Sequence, residues 1–314
     1  MDIKHSYTSA DSIPPKLLLN SGVKDLLPIH VQWMPTNKCN LNCKFCSCSE
    51  RNKSLEMDIT KAKAVIQELS GLGCKAVTVT GGGEPLCHPQ IVEMLECFAE
   101  HDIAIGLVTN GTLINKLDKK TLSLLTWCRI SSGDDRQLTP RYQKLLESVV
   151  GSSANVDWAF SHVVTHNADF QNIRNLVNFA NDWKFTHVRI VADILNADIL
   201  DIEPLREYLS GVDSRVIYQA RNKPVPSKSC AIGYVKPVID PEFKMYLCCG
   251  VQYALEEPSK DVPRQLCMGS AFNLAEIYGP ERKLFHVNCI RCYYESYNAV
   301  LRPLTQGITH KEFL

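Results

Sequence analysis

Residues 36–46 read TNKCNLNCKFC, and this polar stretch directly follows an apolar, strand-like run at residues 30–34. It contains three cysteines, Cys39, Cys43 and Cys46, spaced by four and three positions. A loop can curl several thiolates around one inorganic cluster, whereas a regular strand would point neighbouring side chains to opposite faces of a sheet. The stretch therefore predicts a loop at the end of a strand that binds a metal cluster.

The number of thiolates in this loop indicates which kind of cluster to expect. Iron–sulfur clusters are normally held by four cysteines, so three cysteines suggest a cluster with one iron left open. The CX3CX2C loop resembles that of the radical S-adenosylmethionine (SAM) superfamily, in which the loop binds a [4Fe-4S] cluster and SAM occupies the open iron. The resemblance implies that Cys39, Cys43 and Cys46 are metal ligands and that Phe45 lies near the adenine of SAM.

Composition narrows the class of protein and its partners. The chain has 314 residues, 45% of them hydrophobic, and its N-terminus lacks the apolar segment of a signal peptide. No apolar run approaches the roughly 20 residues of a membrane-spanning helix, so we expect a cytoplasmic protein without a membrane partner. Its fourteen cysteines then favour metal binding or catalysis over disulfides. A formal net charge of zero counts against nucleic acid as a partner.

Alternating apolar and helical patterns predict an α/β fold. Strands are expected at 30–35, 76–80, 103–109, 129–131, 157–164 and 187–193, and helices near 60–70, 89–101, 118–127, 139–150 and 169–182. We expect Thr60 to cap the first helix. Repeated βα units predict a parallel sheet with helices outside, and six units resemble the partial (β/α)6 barrel of radical SAM enzymes. By analogy with complete barrels, the chemistry should lie at the carboxyl ends of the strands.

A change of pattern divides the chain into three predicted segments. Residues 1–28 read as an irregular leader, residues 29–222 as the partial barrel, and residues 223–314 as a small cysteine-rich domain. The last boundary lies in a proline-rich connector at residues 223–226. A domain with so little apolar chain commonly needs a metal to stabilise it.

A glycine-rich turn, GGGEP at residues 81–85, follows the second predicted strand. Bare glycines let a ligand approach the backbone closely, although a plain turn from strand to helix would look the same. At this place in the chain the turn resembles the GGE motif of radical SAM enzymes. The resemblance implies four SAM-binding residues, Gly81, Gly82, Gly83 and Glu84.

Polar residues near the ends of the later strands supply further candidates. The resemblance implies that Asn110, in a Thr-Asn-Gly sequence, and Ser131 bind SAM, although Asn-Gly is also a common turn. Arg189 suits the carboxylate of SAM or an anionic substrate, because a guanidinium grips carboxylates bidentately. The alternative for Arg189 is an outward residue paired with an acid on a helix. Together with Arg189, His162 and Asp193 are the candidate catalytic residues, since they could reach the mouth of the barrel.

The C-terminal segment holds six more cysteines. A β-hairpin predicted over residues 235–247 brings Cys230 and Cys248 together, and Cys289 and Cys292 are expected at the start of a helix at residues 292–301. This hairpin-plus-helix pattern resembles the twitch domain, a shortened SPASM domain that carries an auxiliary [4Fe-4S] cluster. Its cysteine pattern is similar to that of the 2-deoxy-scyllo-inosamine dehydrogenases. The resemblance implies four ligands, Cys230, Cys248, Cys289 and Cys292, with Cys249 as an alternative to Cys248 and Cys267 as a spare. The alternative to this cluster is a zinc ion bound by the same four thiolates. A zinc ion could also be bound by Cys43 and Cys46 together with Cys289 and Cys292.

The resemblance also implies an activity. A flavodoxin- or ferredoxin-type protein would reduce the first cluster, and SAM cleavage would give a 5′-deoxyadenosyl radical that removes a hydrogen atom from the substrate. The second cluster would accept one electron, giving a two-electron oxidation of a small molecule. One alternative is a peptide maturase that forms an oxidative crosslink. Others are a non-catalytic zinc-stabilised binding protein, an RNA-modifying enzyme and a methyltransferase.

Overall fold

The computed structural model describes residues 26–133, 138–153, 155–194, 202–212, 215–219, 225–250, 266–280, 284–292 and 294–305. Most of the predicted leader, residues 1–25, and the first half of the predicted connector, residues 223–224, lie outside these ranges. Within them the strands are β1 (His30–Trp33), β2 (Ala76–Val79), β3 (Ala104–Thr109), β4 (Leu125–Gly133), β5 (Asp157–Val164), β6 (His187–Ala192), β7 (Val216–Gln219), β8 (Val225–Cys230), β9 (Val238–Ile239), β10 (Lys244–Tyr246), β11 (Cys267–Ser270) and β12 (Phe285–Cys292).

The described helices follow the strands closely. They are α1 (Ile59–Gly71), α2 (Ile91–Glu100), α3 (Lys119–Leu122), α4 (Pro140–Val150), α5 (Phe170–Asp182), α6 (Glu203–Tyr208), α7 (Ile232–Val235), α8 (Leu274–Ile277) and α9 (Glu295–Thr305). None of the helices in these ranges is long and apolar enough to cross a membrane.

Seven strands, β1 to β7, lie side by side in chain order and pair in parallel. The predicted α/β fold with a largely parallel sheet is thereby confirmed, with one more parallel strand than the six predicted for the barrel. The carboxyl ends of parallel strands meet at one edge of the sheet. The cysteine loop after β1, the glycine turn after β2 and the Thr-Asn-Gly turn after β3 therefore lie next to one another.

The two faces of the sheet differ in what they contact. Trp33 on β1 packs edge-to-face on Phe98 of α2, with ring centroids 5.3 Å apart, and Phe160 on β5 packs on Phe179 of α5 at 6.0 Å. Because side chains alternate along a strand, the chain neighbours of Trp33 and of Phe160 point to the opposite face of the sheet. We call that side, which faces away from the helices, the inner face.

Two local predictions near the first helices were wrong. The helix predicted at residues 118–127 ends at Leu122, and Leu125 already begins β4. Asp58, not Thr60, caps α1, since its carboxylate accepts a hydrogen bond from the backbone N–H of Lys61 at 2.9 Å. A carboxylate at the N-cap position satisfies a free N–H of the first turn in the way expected of Thr60.

The cysteine-rich segment packs directly against the parallel sheet. The predicted hairpin is confirmed as β9 and β10, and β9 pairs in parallel with β1, so the sheet continues through β9, β10 and β11. Strands β8 and β12 form a separate antiparallel pair. Cys289 and Cys292 therefore lie on β12, paired with Ser227 and Val225, and the prediction that they begin a helix was wrong. The division of the chain at residue 222 stays a prediction.

Candidate functional site

The cysteine loop is tied to the elements around it by backbone contacts. Thr36 bridges to Glu56, and the N–H of Asn37 donates to the carbonyl of Leu55 at 2.9 Å. The glycine turn donates twice to the loop, from Gly83 N to Thr36 O at 3.0 Å and from Glu84 N to Lys38 O at 2.8 Å. These bonds hold the start of the loop at the carboxyl ends of β1 and β2.

The three thiols of the loop differ in exposure. Cys39 is exposed, whereas Cys43 and Cys46 are half-buried, and the N–H of Cys46 donates to the carbonyl of Cys43 at 3.1 Å. A hydrogen bond with the neighbouring Cys48, together with burial, raises the pKa of Cys46 above that of an ordinary thiol. Across the described ranges, no three His, Cys, Asp or Glu side chains are arranged to hold a single metal ion. Three cysteines in one loop remain a donor set of the kind that iron–sulfur clusters use.

The glycines of the turn are required by close packing on the cysteine loop. A Cβ added to Gly82 would lie 2.0 Å from Oδ1 of Asn37, and one added to Gly83 would lie 2.0 Å from the carbonyl oxygen of Lys38. Gly81 has no room either, because its Cβ would meet the carbonyl oxygen of Gly83 at 2.0 Å. The turn therefore approaches the protein's own loop, and its contact with SAM stays a prediction.

An unsatisfied acceptor lies beside this turn. The side-chain NH2 of Asn37 donates to the carbonyl of Asn52 at 3.1 Å, which leaves Oδ1 facing Gly82. That oxygen is buried and has no hydrogen-bond partner among the described residues. Buried acceptors are normally satisfied, so a ligand N–H or ammonium group fits this position. The unsatisfied acceptor is thus compatible with a cofactor that reaches the edge where the cysteine loop and the glycine turn meet.

Glu84 is hydrogen-bonded to groups at the ends of two neighbouring strands. Its side chain is 2% exposed and accepts hydrogen bonds from Thr109 Oγ1 at 2.6 Å, Leu86 N at 3.1 Å and Asn110 N at 2.6 Å. The carboxylate therefore links the end of β2 to the end of β3. Its predicted contact with SAM would have to use the remaining acceptor capacity of a carboxylate that already has three protein donors.

Asn110 ties the third strand to the cysteine loop. Its NH2 group donates to Oδ1 of Asn40 at 2.8 Å, while its own Oδ1 accepts from the N–H and the hydroxyl of Thr112 at 2.9 and 2.6 Å. Asn40 stands between Cys39 and Cys43, so this contact helps to set the shape of the loop. Sequence reasoning missed Asn40, although the asparagine-rich composition of the loop is a signal for such bonds.

Phe45 lies against the carboxyl end of β4. A Cβ added to Gly133, the last residue of β4, would lie 2.1 Å from Cε1 of Phe45. Glycine at position 133 thus makes room for the ring. Contact of Phe45 with the adenine of SAM stays a prediction.

Ser131 and Arg189 lie on the inner face, at the same level of the sheet. Register pairs Ser131 on β4 with Ser161 on β5, and Ser161 with Arg189 on β6. The guanidinium of Arg189 donates to Oγ of Ser161 through Nε at 3.2 Å and Nη2 at 2.9 Å. Asp193 follows β6 directly and is 4% exposed. The predicted contacts of Ser131, Arg189 and Asp193 with SAM or the substrate require positions on the inner face, and these residues lie there.

His162 is on the other side of the sheet. It is fully buried, and its Nδ1 lies 3.2 Å from Oγ of Ser132. Since His162 shares its strand face with Phe160, its ring lies in the layer between sheet and helices. The expectation that it reaches the mouth of the barrel is not met, and this placement argues against a catalytic role.

Sequence reasoning missed Arg129, which also lies on the inner face, two positions before Ser131. Its guanidinium carbon is 5.3 Å from the ring centroid of Trp127, and that indole covers Gly106 on β3, where an added Cβ would lie 2.0 Å from the ring. The Nε of Arg129 is buried without a hydrogen-bond partner in the described part of the chain. Burial lowers the pKa of Arg129 to about 10, so the side chain keeps its charge at neutral pH. Strand alternation from Ser131 could have found it.

The four cysteines predicted to hold a second cluster line one cavity. Its walls comprise Ser227, Cys230, Ile232, Leu247, Cys248, Gly250, Leu266, Val287, Cys289, Arg291, Cys292, Tyr294 and Asn298. Cys249 and Cys267 are not part of this lining. The sulfur of Cys249 instead lies 2.9 Å from the hydroxyl of Tyr294. The geometry thus favours Cys248 over Cys249 as a member of the set.

The cavity keeps its thiols protonated when no metal is bound. Burial raises the pKa of Cys230 to about 12 and that of Cys289 to about 11, and nearby cysteines add to both shifts. Burial also raises the pKa of Cys292, while a hydrogen bond from Asn298 opposes that rise. Metal ligands of this kind must be thiolates, so binding a metal or cluster here releases protons.

Known proteins are similar to the part of the chain that carries the first site. The family model described as the radical SAM superfamily matches residues 33–126, from β1 into β4. The AdoMet-dependent heme synthase of Methanosarcina barkeri is 33% identical over 89 residues, 28% of this chain and 25% of that protein. The mycofactocin maturase MftC of Mycobacterium ulcerans is 33% identical over 89 residues, 28% of this chain and 24% of the maturase. The matches thus span about a quarter of the length of these relatives.

One group of solved structures resembles most of the chain. SuiB of Streptococcus suis, solved with its precursor peptide SuiA, superposes with a TM-score of 0.61 and 16% identity over 86% of this chain and 69% of SuiB. SuiB bound to SAM gives a TM-score of 0.58 and 18% identity over 81% of this chain and 66% of SuiB. At such identities the likeness shows the fold alone. The α/β fold predicted from the alternating strands and helices is confirmed.

Proposed function

We propose that this chain, a member of the radical SAM superfamily, oxidises its substrate by two electrons after cleaving SAM. The cluster on Cys39, Cys43 and Cys46, when bound, supplies one electron to SAM, and the resulting 5′-deoxyadenosyl radical removes one hydrogen atom from the substrate. A cluster held by Cys230, Cys248, Cys289 and Cys292 would accept one electron from the substrate radical, and a base would accept its proton. A ferredoxin- or flavodoxin-type protein provides the first electron, and a carrier of the same class takes up the second.

The observation that carries this proposal is the set of bonds that fixes the cysteine loop against the SAM side of the sheet. Asn110 contacts Asn40 within the loop, and Glu84 fixes Asn110 through its backbone N–H. These residues hold the loop in one shape before any cofactor binds, which lowers the conformational cost of binding. Asn37 Oδ1 offers an acceptor to the ammonium group of SAM, and Phe45 on Gly133 offers a ring to its adenine.

The cavity lined by Cys230, Cys248, Cys289 and Cys292 supports a second cluster. Four thiolates are the usual ligand set of a [4Fe-4S] cluster, and they leave no iron open to a substrate. Its role in the proposal is therefore to accept an electron. A zinc ion on the same four thiolates is the alternative, and it could not take up an electron because Zn²⁺ has no redox chemistry.

The inner face between the two sites favours a substrate with an anionic group. Arg129 and Arg189 both project from it, and the buried Nε of Arg129 lacks a partner among the described residues. Cys249 and Tyr294, beside the second cavity, are among the groups that act electrostatically on Arg129. A carboxylate or phosphate on the substrate would satisfy this charge and place the substrate between the radical source and the electron acceptor.

A peptide is the second candidate substrate. SuiB was solved with its precursor peptide SuiA, and this likeness supports a peptide as the substrate of the present chain. In that case the same oxidation would form a crosslink within the peptide. Deuterium transfer into 5′-deoxyadenosine from labelled candidate substrates separates a small molecule from a peptide.

Two cysteine substitutions test whether the two proposed clusters have different roles. Cys43→Ala should abolish the formation of 5′-deoxyadenosine, because the first cluster loses a ligand. Cys292→Ala should leave 5′-deoxyadenosine formation but remove the doubly oxidised product, and Cys267→Ala, outside the cavity, serves as the control. Equal loss of both products in Cys292→Ala, in a protein that keeps its far-UV circular dichroism, would contradict the electron-acceptor role.

A further inference from the structure

Asn298 on α9 connects the two halves of the second cysteine set. Its side chain is 1% exposed, and Oδ1 accepts hydrogen bonds from the backbone N–H groups of Ala231 at 2.8 Å and Ile232 at 3.0 Å. Its NH2 group donates to the sulfur of Cys292, with nitrogen and sulfur 3.9 Å apart. One buried amide therefore contacts both the residue after Cys230 and Cys292 itself.

The bonds to the backbone fix which way the amide points. Ala231 and Ile232 present N–H donors, so the amide group must turn its oxygen towards them. Its NH2 group is then obliged to face Cys292, and rotating the amide would place donors against donors. The N–H···S contact thus follows from the hydrogen-bond network, and the sequence pattern of the cysteines gives no sign of it.

We propose that Asn298 is a positioning residue for the second cluster, which donates an N–H···S hydrogen bond to the Cys292 thiolate and raises the reduction potential of the cluster. The inference rests on the second cluster of the proposed function. Hydrogen bonds to sulfur ligands are one of the factors that set cluster potentials, and they stabilise the reduced, more negative state. A higher potential favours transfer of one electron from the substrate radical to the cluster.

The same amide also positions the ligands. Partners that orient metal ligands from behind contribute to metal affinity as well as to electronic properties. Asn298 anchors the chain after Cys230 and the end of β12 to one helix, so it holds two ligands of the set at a fixed separation. Other side chains near Cys292 include Glu295 and Arg302, which form an ion pair with each other.

The test uses the full-length protein with Cys39, Cys43 and Cys46 changed to alanine, so that the second cluster alone gives an electron paramagnetic resonance (EPR) signal. In this background Asn298→Asp keeps the oxygen acceptor for Ala231 and Ile232 but replaces the donor to sulfur with a second oxygen. The matched control is Asn172→Asp, another buried asparagine whose Oδ1 accepts a backbone N–H, from Leu138 at 3.3 Å, far along the chain from the cysteines.

The readouts are iron content and a redox titration followed by EPR. Loss of the hydrogen bond and the negative charge of the new carboxylate both disfavour reduction, so the equilibrium constant for reduction should fall at least about tenfold, which corresponds to about 59 mV for one electron. The pulsed EPR measurement below attributes the effect to the hydrogen bond. Asn172→Asp should leave the potential unchanged. An Asn298→Asp protein with about four irons and an unaltered potential overturns the inference. A background protein that binds zinc or no iron overturns the second cluster itself, and the inference with it.

A second measurement needs no substitution at position 298. When the same background protein is labelled with ¹⁵N-asparagine, the reduced cluster should show a weak ¹⁵N hyperfine coupling in pulsed EPR from the Asn298 amide. Its absence would overturn the inference even if Asn298→Asp failed to fold or to bind iron. Loss of iron from Asn298→Asp alone, with the coupling present in the parent protein, supports the positioning role.

Discussion

Glu84 offers the sharpest perturbation of the first site, because the structure and the sequence motif give it different partners. The motif implies a contact with SAM, whereas the carboxylate here accepts from Leu86 N, Thr109 Oγ1 and Asn110 N at 3.1, 2.6 and 2.6 Å. Glu84→Gln keeps the size of the side chain but replaces one oxygen with an NH2 group. Either orientation of the amide then leaves at least one of these donors facing another donor.

The magnitude follows from the three bonds. A hydrogen bond to a charged group contributes about 1.5–3 kcal/mol, and loss of the charge reduces such a bond to roughly half its strength. Losing one bond and weakening two others should destabilise the link between β2 and β3 by about 3 kcal/mol. Since 1.4 kcal/mol is a factor of ten, local opening should become about a hundredfold more frequent.

Hydrogen–deuterium exchange measures this opening at the amides concerned. Peptides that contain Leu86 and Asn110 should exchange about a hundredfold faster in Glu84→Gln than in the wild type. The control is Glu93→Gln, which breaks an exposed ion pair with Lys63 and should leave the exchange of both peptides unchanged, because exposed ion pairs contribute little to stability. Unchanged exchange at both amides together with loss of SAM binding would contradict the role of Glu84 in linking β2 to β3 and would assign Glu84 to SAM.

Three further substitutions test the placement of single residues. Gly133→Ala puts a Cβ 2.1 Å from Cε1 of Phe45. The affinity for SAM, measured by equilibrium dialysis, should therefore fall about tenfold, a loss of about 1.4 kcal/mol. The control is Gly71→Ala, where a Cβ meets nothing within 4 Å, and this variant should bind SAM normally. His162→Phe should lower the free energy of unfolding by about 1–3 kcal/mol, because Ser132 loses a hydrogen-bond partner. Unaltered stability together with abolished 5′-deoxyadenosine formation would contradict the helix-facing position of His162. Arg129→Gln should weaken binding of a carboxylate- or phosphate-bearing substrate at least tenfold, with Arg129→Lys intermediate, and equal binding by all three proteins would exclude the anionic contact.

The regular part of the fold could be predicted from the sequence because it depends on local patterns. The bounds predicted for β5, residues 157–164, coincide with those observed, since apolar residues lie at 158–160 and 163–164 of this stretch. Only partner strands far along the chain could show that Cys289 lies in a strand, as β12 pairs with β8 some sixty residues away. The N-cap of α1 was missed for a local reason, because Asp58 and Thr60 carry equally suitable side chains.

The site was predictable in its cysteines and less so in its polar contacts. The resemblance to the twitch domain singled out the four cysteines that line the second cavity, with Cys249 left as an alternative to Cys248. The sequence could not show that Glu84 and Asn110 bond to other protein groups, because those contacts join separate loops. His162 was assigned to the wrong face although Phe160, two positions earlier, was available as a guide to strand alternation.

The central claim is that the Cys39–Cys46 loop holds a cluster with one iron open to SAM. The most direct test is the EPR spectrum of the anaerobically reconstituted and reduced protein, recorded with and without SAM. The account predicts a cluster signal whose shape changes when SAM is added, and a Cys39→Ala, Cys43→Ala, Cys46→Ala protein that lacks this SAM-sensitive signal. A signal that is identical with and without SAM, or no signal from the loop, would contradict it.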